Sequence, residues 1–87
     1  MYEEKINDII QIIKNDIEKD KLEISKIRKE RNKLKKCIKE SQELEIDNEK
    51  LETELLIRED NIISIKEKIS NEKKALYRLN IALHLLK

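Results

Sequence analysis

Residues 26–60 read KIRKERNKLKKCIKESQELEIDNEKLETELLIRED, and their charge changes sign partway along. Residues 26–39 contain eight Lys or Arg and one acid, whereas residues 40–60 contain nine acids and two bases. No Gly or Pro separates the two segments. Folding the chain back about residues 43–46 would place the basic segment beside the acidic one, so this stretch favours an antiparallel arrangement of helices.

The outer parts of the chain repeat the alternation of charge. Residues 1–25 carry seven acids and four bases, and residues 61–87 carry two acids and six bases. The same fold brings these two parts together with attraction, whereas an in-register parallel dimer would place like charges side by side. Each exposed ion pair contributes only about 0.2–1 kcal/mol. Charge can therefore select the orientation of the helices but cannot drive their folding.

The composition favours helices that expose much of their surface. The chain has 87 residues, 45% of them charged, and its apolar residues are almost all Ile and Leu. High charge can indicate disorder, but these Ile and Leu residues recur with a helical period. A chain of this length forms at most one domain. We therefore expect an all-α, single coiled-coil domain over residues 1–87.

Apolar residues follow one another at steps of three and four, as in the core of a coiled coil. Polar residues interrupt this seam at Asp20, Arg31, Asn48, Arg58 and Glu72, and such positions can fix register and oligomeric state. The predicted apolar seam consists of Ile6, Ile10, Ile13, Ile17, Ile24, Ile27, Leu34, Ile38, Leu51, Leu55, Ile62, Ile65, Ile69, Leu76, Leu79, Leu83 and Leu86.

The phase of the seam changes in the middle of the chain, where Ile38, Ser41 and Leu44 follow at two consecutive steps of three. A hairpin accommodates this change, because each arm sets its own phase. The predicted arms are residues 3–42 and 48–86.

The predicted turn covers residues 43–48. Asp47 and Asn48 are its best candidates, since both residue types tolerate left-handed backbone and cap helices.

Three helical arrangements are compatible with the pattern. An antiparallel hairpin and an antiparallel dimer of long helices are favoured, and two hairpins could assemble into a four-helix bundle. Pairing residues whose numbers sum to 89 aligns the apolar positions of the two arms but sets Arg31 beside Arg58. The alternative is a continuous parallel coiled coil with a stammer, a local overwinding, near residues 38–44.

The two ends of the chain carry more apolar residues than a two-helix seam needs. A wide apolar face indicates burial against further helices. Either a second hairpin or a partner protein would cover it. The predicted partner patch consists of Ile9, Ile12, Tyr77, Ile81 and Leu85.

Few residues suit an enzyme. The chain lacks the glycines of a phosphate-binding loop, and its single cysteine, Cys37, and single histidine, His84, have no partners at metal-ligand or catalytic spacing. We expect no enzyme, no cofactor and no metal site. The predicted function is a coiled-coil oligomerisation, scaffold or adaptor module that binds itself, with another helical protein as a second candidate partner.

Binding of nucleic acid by a small regulator is the alternative function, through the basic residues 26–39. A net charge of +1 gives no global attraction to nucleic acid. No apolar run is long enough to span a membrane. The single cysteine fits a reducing environment, so we expect an intracellular protein, cytoplasmic or nuclear.

Overall fold

The protein folds as two long helices packed side by side. The structure, a computed structural model, describes residues 2–86, with α1 over Tyr2–Glu43 and α2 over Glu49–Leu86. The helices run antiparallel, contain no strand between them in the described range, and form a rod with Cα extents of 66 × 14 × 13 Å. The predicted all-α antiparallel hairpin is confirmed, and the alternative of a continuous parallel coiled coil is wrong.

Both helices begin with acidic residues, which complement the positive end of the helix dipole. Glu3 and Glu4 lie in the first turn of α1, and Glu49 and Glu52 lie in the first turn of α2. Without internal Gly or Pro, neither helix has an interior residue that strongly interrupts it.

The core is a narrow line of isoleucines between the helices. Its centre is a cluster of Ile17, Ile24 and Ile27 from α1 with Ile62 and Ile69 from α2. Burial stabilises each such side chain by about 1.5–3 kcal/mol relative to an exposed position. Every residue of the predicted seam, apolar or polar, is buried or partly buried except one.

The exception is Leu86, which the structure leaves 49% exposed. The antiparallel register sets Leu86 level with the first turn of α1, where Glu3 and Glu4 are exposed and offer no apolar surface. The seam therefore ends before Leu86.

A Schellman motif ends α1. Ile46 N donates to Ser41 O at 2.9 Å, and Glu45 N donates to Gln42 O at 3.2 Å. Glu45 takes the left-handed conformation that the motif requires, with φ of 56°. Glycine usually occupies this position, because a side chain adds steric cost there.

Asp47 and Asn48 start α2 and do not supply the left-handed turn residue that the sequence suggested. Asp47 Oδ1 accepts a hydrogen bond from Glu49 N at 3.1 Å, and Asn48 O accepts one from Glu52 N at 2.9 Å. Asn48 thus accepts the first backbone hydrogen bond of α2, and the Asp47 side chain caps a free N–H of its first turn.

We expect Glu45→Gly to stabilise the hairpin. Left-handed backbone costs a non-glycine residue roughly 1–2 kcal/mol, and the greater freedom of glycine in the unfolded chain offsets part of that gain. A net gain of roughly 0.5–1 kcal/mol should raise the melting temperature by several degrees. Thermal unfolding followed by circular dichroism measures it. The matched control, Glu43→Gly, lies in regular helix and should lower the melting temperature; a lower value for Glu45→Gly would contradict the role of the turn.

Candidate functional site

A group of three charged side chains interrupts the core between the helices. Asp20 of α1 and Glu72 of α2 are 14% and 15% exposed, and Lys68 of α2 reaches both from the surface. Lys68 Nζ lies 3.2 Å from Asp20 Oδ1, 3.1 Å from Asp20 Oδ2 and 3.7 Å from Glu72 Oε1. One ammonium therefore serves two partly buried carboxyl groups.

The two carboxyl groups have opposite pKa shifts. Burial, then hydrogen bonding with Asp20 and the charge of Asp20, raises the pKa of Glu72 above its ordinary value of 4.5. Burial also acts to raise the pKa of Asp20, but hydrogen bonds from Lys68 and Glu72 and the positive charge of Lys68 bring it below its ordinary value of 3.8.

The hydrogen bonds explain which group takes the proton. Neither oxygen of an ionised Glu72 has a hydrogen-bond donor in the structure. A protonated Glu72 can donate its O–H to the Asp20 carboxylate, so the pair holds one proton most easily on Glu72.

Arg31 and Arg58 form the other polar interruption of the core. Arg58 Nε lies 3.4 Å from Glu30 Oε2, and Arg58 Nη1 donates to Glu54 O at 3.3 Å. The Nε atom of Arg31 is buried without a hydrogen-bond partner. Glu30 and Lys68, which the sequence did not single out, thus supply ion-pair partners for Arg58, Asp20 and Glu72 but not for Arg31.

The basic and acidic segments do not pair by direct contact as the sequence suggested. None of the eight Lys or Arg residues in 26–39 lies in an ion pair within residues 2–86. The one ion pair between these segments joins Glu30, the only acid of the basic segment, to Arg58 of the acidic one. Most of the other charges project away from the helix contact, so their attraction acts over a longer distance.

The heptad positions explain this placement. With core residues at positions a and d, the residues at e flank one side of the seam and those at g flank the other. In an antiparallel pair, e residues of the two helices face each other and g residues do likewise. Glu30 and Lys68 are both g residues, and they make the two cross-helix ion pairs.

The five residues of the predicted partner patch are all exposed, but they do not share one face. Position c lies next to g on the helix surface, and position b lies next to e. Three residues of the patch therefore lie on the g side, at the end of the rod opposite the loop, which we call the open end: Ile9 at g, and Ile12 and Leu85 at c. Tyr77 at b lies on the e side, and Ile81 at f faces outward between them. Their exposed fractions run from 44% to 78%.

Several other features bear on chemistry. In residues 2–86, no group of three potential ligand side chains could hold a metal ion, and neither helix is long and apolar enough to cross a membrane. Cys37 and His84 are both exposed.

A comparison with protein-family models, characterised proteins and solved structures finds no match to the chain. The proposed function therefore rests on the surface and core of this hairpin alone.

Proposed function

We propose that the protein is a non-enzymatic self-association module in which two hairpins pack through the g side of their open ends. Ile9, Ile12 and Leu85 remain exposed there, and the small side chains of Ala75 and Ala82 line the same side. This unpartnered apolar surface on a hairpin with a thin core is the observation that carries the proposal. A scaffold or adaptor role would follow from such association.

The accessible surface of the hairpin supports a need for further burial. Its area is 7123 Å². A compact monomer of the same mass would expose about 5,400 Å². The excess of roughly 1,700 Å² per chain is about twice the ~800 Å² that each partner buries in a standard protein interface.

Charge and shape favour a second copy as the occupant. With both loops at the same end, α1 of one hairpin lies beside α2 of the other. Ile9 and Ile12 then meet Ala82 and Leu85 of the second copy, where the alanines allow close approach of the helices. The acidic residues 1–25 lie beside the basic residues 61–87 in the same arrangement. The two-fold axis repeats each contact, and the result is a four-helix bundle at the open end.

The predicted intracellular location and absence of catalysis stay predictions. The alternative function, nucleic-acid binding by residues 26–39, has less support than association. The eight bases lie around the circumference of α1 and include Arg31 in the core, so they do not form one binding face.

We expect the double variant Ile9→Glu/Leu85→Glu to prevent association. Each change removes apolar burial of about 1.5–3 kcal/mol and adds a charge that must be desolvated. Since symmetry doubles the effect, the dissociation constant should rise at least a hundredfold. Sedimentation equilibrium over a concentration series measures it.

The matched control is Leu56→Glu/Ile63→Glu, which places two glutamates at exposed apolar positions of α2 away from the g side. This control should associate as the wild type does. A wild-type chain that stays monomeric at 100 μM or above would refute self-association. Equal loss in both variants would refute the g side as its location.

A further inference from the structure

Four lysines face one another across the e side of the hairpin, in the half that contains the open end. Lys14 and Lys21 occupy e positions of α1, and Lys66 and Lys73 occupy e positions of α2. The register that joins Asp20 to Lys68 sets Lys21 level with Lys66 and Lys14 level with Lys73. All four are exposed, and we call them the lysine quartet.

The hairpin itself does little to neutralise the lysine quartet. Within residues 2–86, the one ion pair that involves it joins Lys21 Nζ to Glu18 Oε1 at 3.6 Å, between well-exposed side chains. Like charges that face each other across a helix interface destabilise it. The hairpin thus keeps a repulsive arrangement that an external anion would relieve.

An open depression adjoins the lysine quartet on α2. It measures about 760 Å³ and is lined by Lys66, Ile69, Ser70, Lys73, Lys74, Tyr77 and Arg78. No acid lies in this lining. Tyr77 is 69% exposed, so its ring offers a stacking surface beside the cations. The two observations together, a double row of lysines with one exposed ion pair and an exposed aromatic ring beside it, describe a surface for a chain of negative charges that carries flat groups.

We propose that the lysine quartet, with Lys74 and Tyr77, binds single-stranded nucleic acid along the e side of the hairpin. The lysines contact the phosphates, and Tyr77 stacks on a base. Single-strand binding commonly combines a basic track with aromatic stacking and requires no particular sequence. The site lies outside residues 26–39, because it is built from both helices rather than from the basic segment of α1.

The layout favours nucleic acid over a membrane surface or an acidic peptide. An interfacial helix needs its apolar residues beside the basic ones. At the open end Ile9, Ile12 and Leu85 lie on the g side, away from the lysine quartet. An acidic peptide would use the cations but not the ring of Tyr77.

The test is fluorescence anisotropy with a labelled 20-nucleotide single strand and the full chain, from 20 to 300 mM salt. Five phosphate contacts give a slope of log K against log[salt] of about −3.5, at about −0.7 per contact for single strands. Changing Lys14, Lys21, Lys66 and Lys73 to Gln should weaken binding at least tenfold at low salt and reduce the slope by about 3.

The matched control changes Lys26, Lys29, Lys33 and Lys36 to Gln, which removes the same charge from the outer face of α1. It should bind almost as the wild type does, and both variants should keep their helical circular dichroism. Absence of binding at 20 mM salt would overturn the proposal, as would equal loss in the two variants. The proposal would also be overturned if a duplex of equal length, polyglutamate or anionic vesicles bound the chain as tightly as the single strand does.

Discussion

Ile62→Ala should abolish cooperative unfolding of the isolated hairpin at 25 °C. Ile62 is 4% exposed, the lowest value among the buried residues, and it lies in the cluster formed with Ile17, Ile24, Ile27 and Ile69. Loss of a large aliphatic side chain from a core costs about 2–5 kcal/mol. Small domains are stable by only about 5 kcal/mol at the low end, and seven buried side chains leave little in reserve.

Urea titration followed by circular dichroism at 222 nm measures this effect at a fixed protein concentration. The neighbouring residue offers a matched control, since Ile63 has the same side chain but is 55% exposed. Ile63→Ala should unfold as the wild type does or slightly later, because alanine favours helix. If Ile62→Ala lost less than about 1 kcal/mol, the cluster would not be the centre of stability.

Glu72→Gln should raise the melting temperature at pH 7, and the gain should vanish as the pH falls toward 4.5. At neutral pH the wild-type chain must bury an ionised Glu72 next to Asp20, which the glutamine avoids. Glutamine can also donate to Asp20 as a protonated Glu72 would. We expect a gain of about 1 kcal/mol or more at pH 7, equal to several degrees.

The sign of the pH dependence follows from the direction of each shift. The raised pKa of Glu72 means that the folded chain holds this proton more tightly than the unfolded chain does. The wild type therefore gains stability as the pH falls through the folded pKa of Glu72 to its ordinary value of 4.5. The lowered pKa of Asp20 acts in the opposite direction: its contribution is present above 3.8 and is lost as the pH falls through its folded pKa.

Thermal scans between pH 3 and pH 8 test both statements. Glu67→Gln is the matched control, because Glu67 is exposed on α2 and makes no ion pair within residues 2–86. It should show no gain that disappears on acidification. Asp20→Asn should destabilise the hairpin at pH 7, since it removes the carboxylate that binds Lys68. A Glu72→Gln gain that is constant from pH 8 to pH 4 would refute the shared proton.

The sequence predicted the helices, their antiparallel order and the core residues that pack between them, because each depends on a repeating pattern. An error at one position of a seam is corrected by its neighbours three and four residues away. The predicted seam nevertheless included Leu86, because a pattern along one helix does not show where the partner helix stops offering apolar surface.

Features that depend on single contacts were harder to predict. Glutamate seldom adopts left-handed backbone, so the sequence gives no sign that Glu45 does. Asp47 and Asn48 were therefore the better candidates by residue type. The charge counts gave the orientation of the arms but not the contacts, since a count ignores the heptad position of each charge. The neighbourhood of Asp20 and Glu72 could have been found from the register, which places them in adjacent layers of the core.

The turn at residues 44–48 also governs whether the two arms belong to one chain. The cross-helix contacts, such as Lys68 with Asp20 and Arg58 with Glu30, depend only on antiparallel register. Two chains whose turns straightened into helix would meet the same contacts as an arm-exchanged dimer about 130 Å long. The core contacts within the paired arms would be the same in both forms, whereas a helix that continues through the turn would have to absorb the change of phase near residues 38–44. In such an exchange Glu45 would be the hinge residue, and the cost of its left-handed backbone would help to set the concentration at which closed hairpins open.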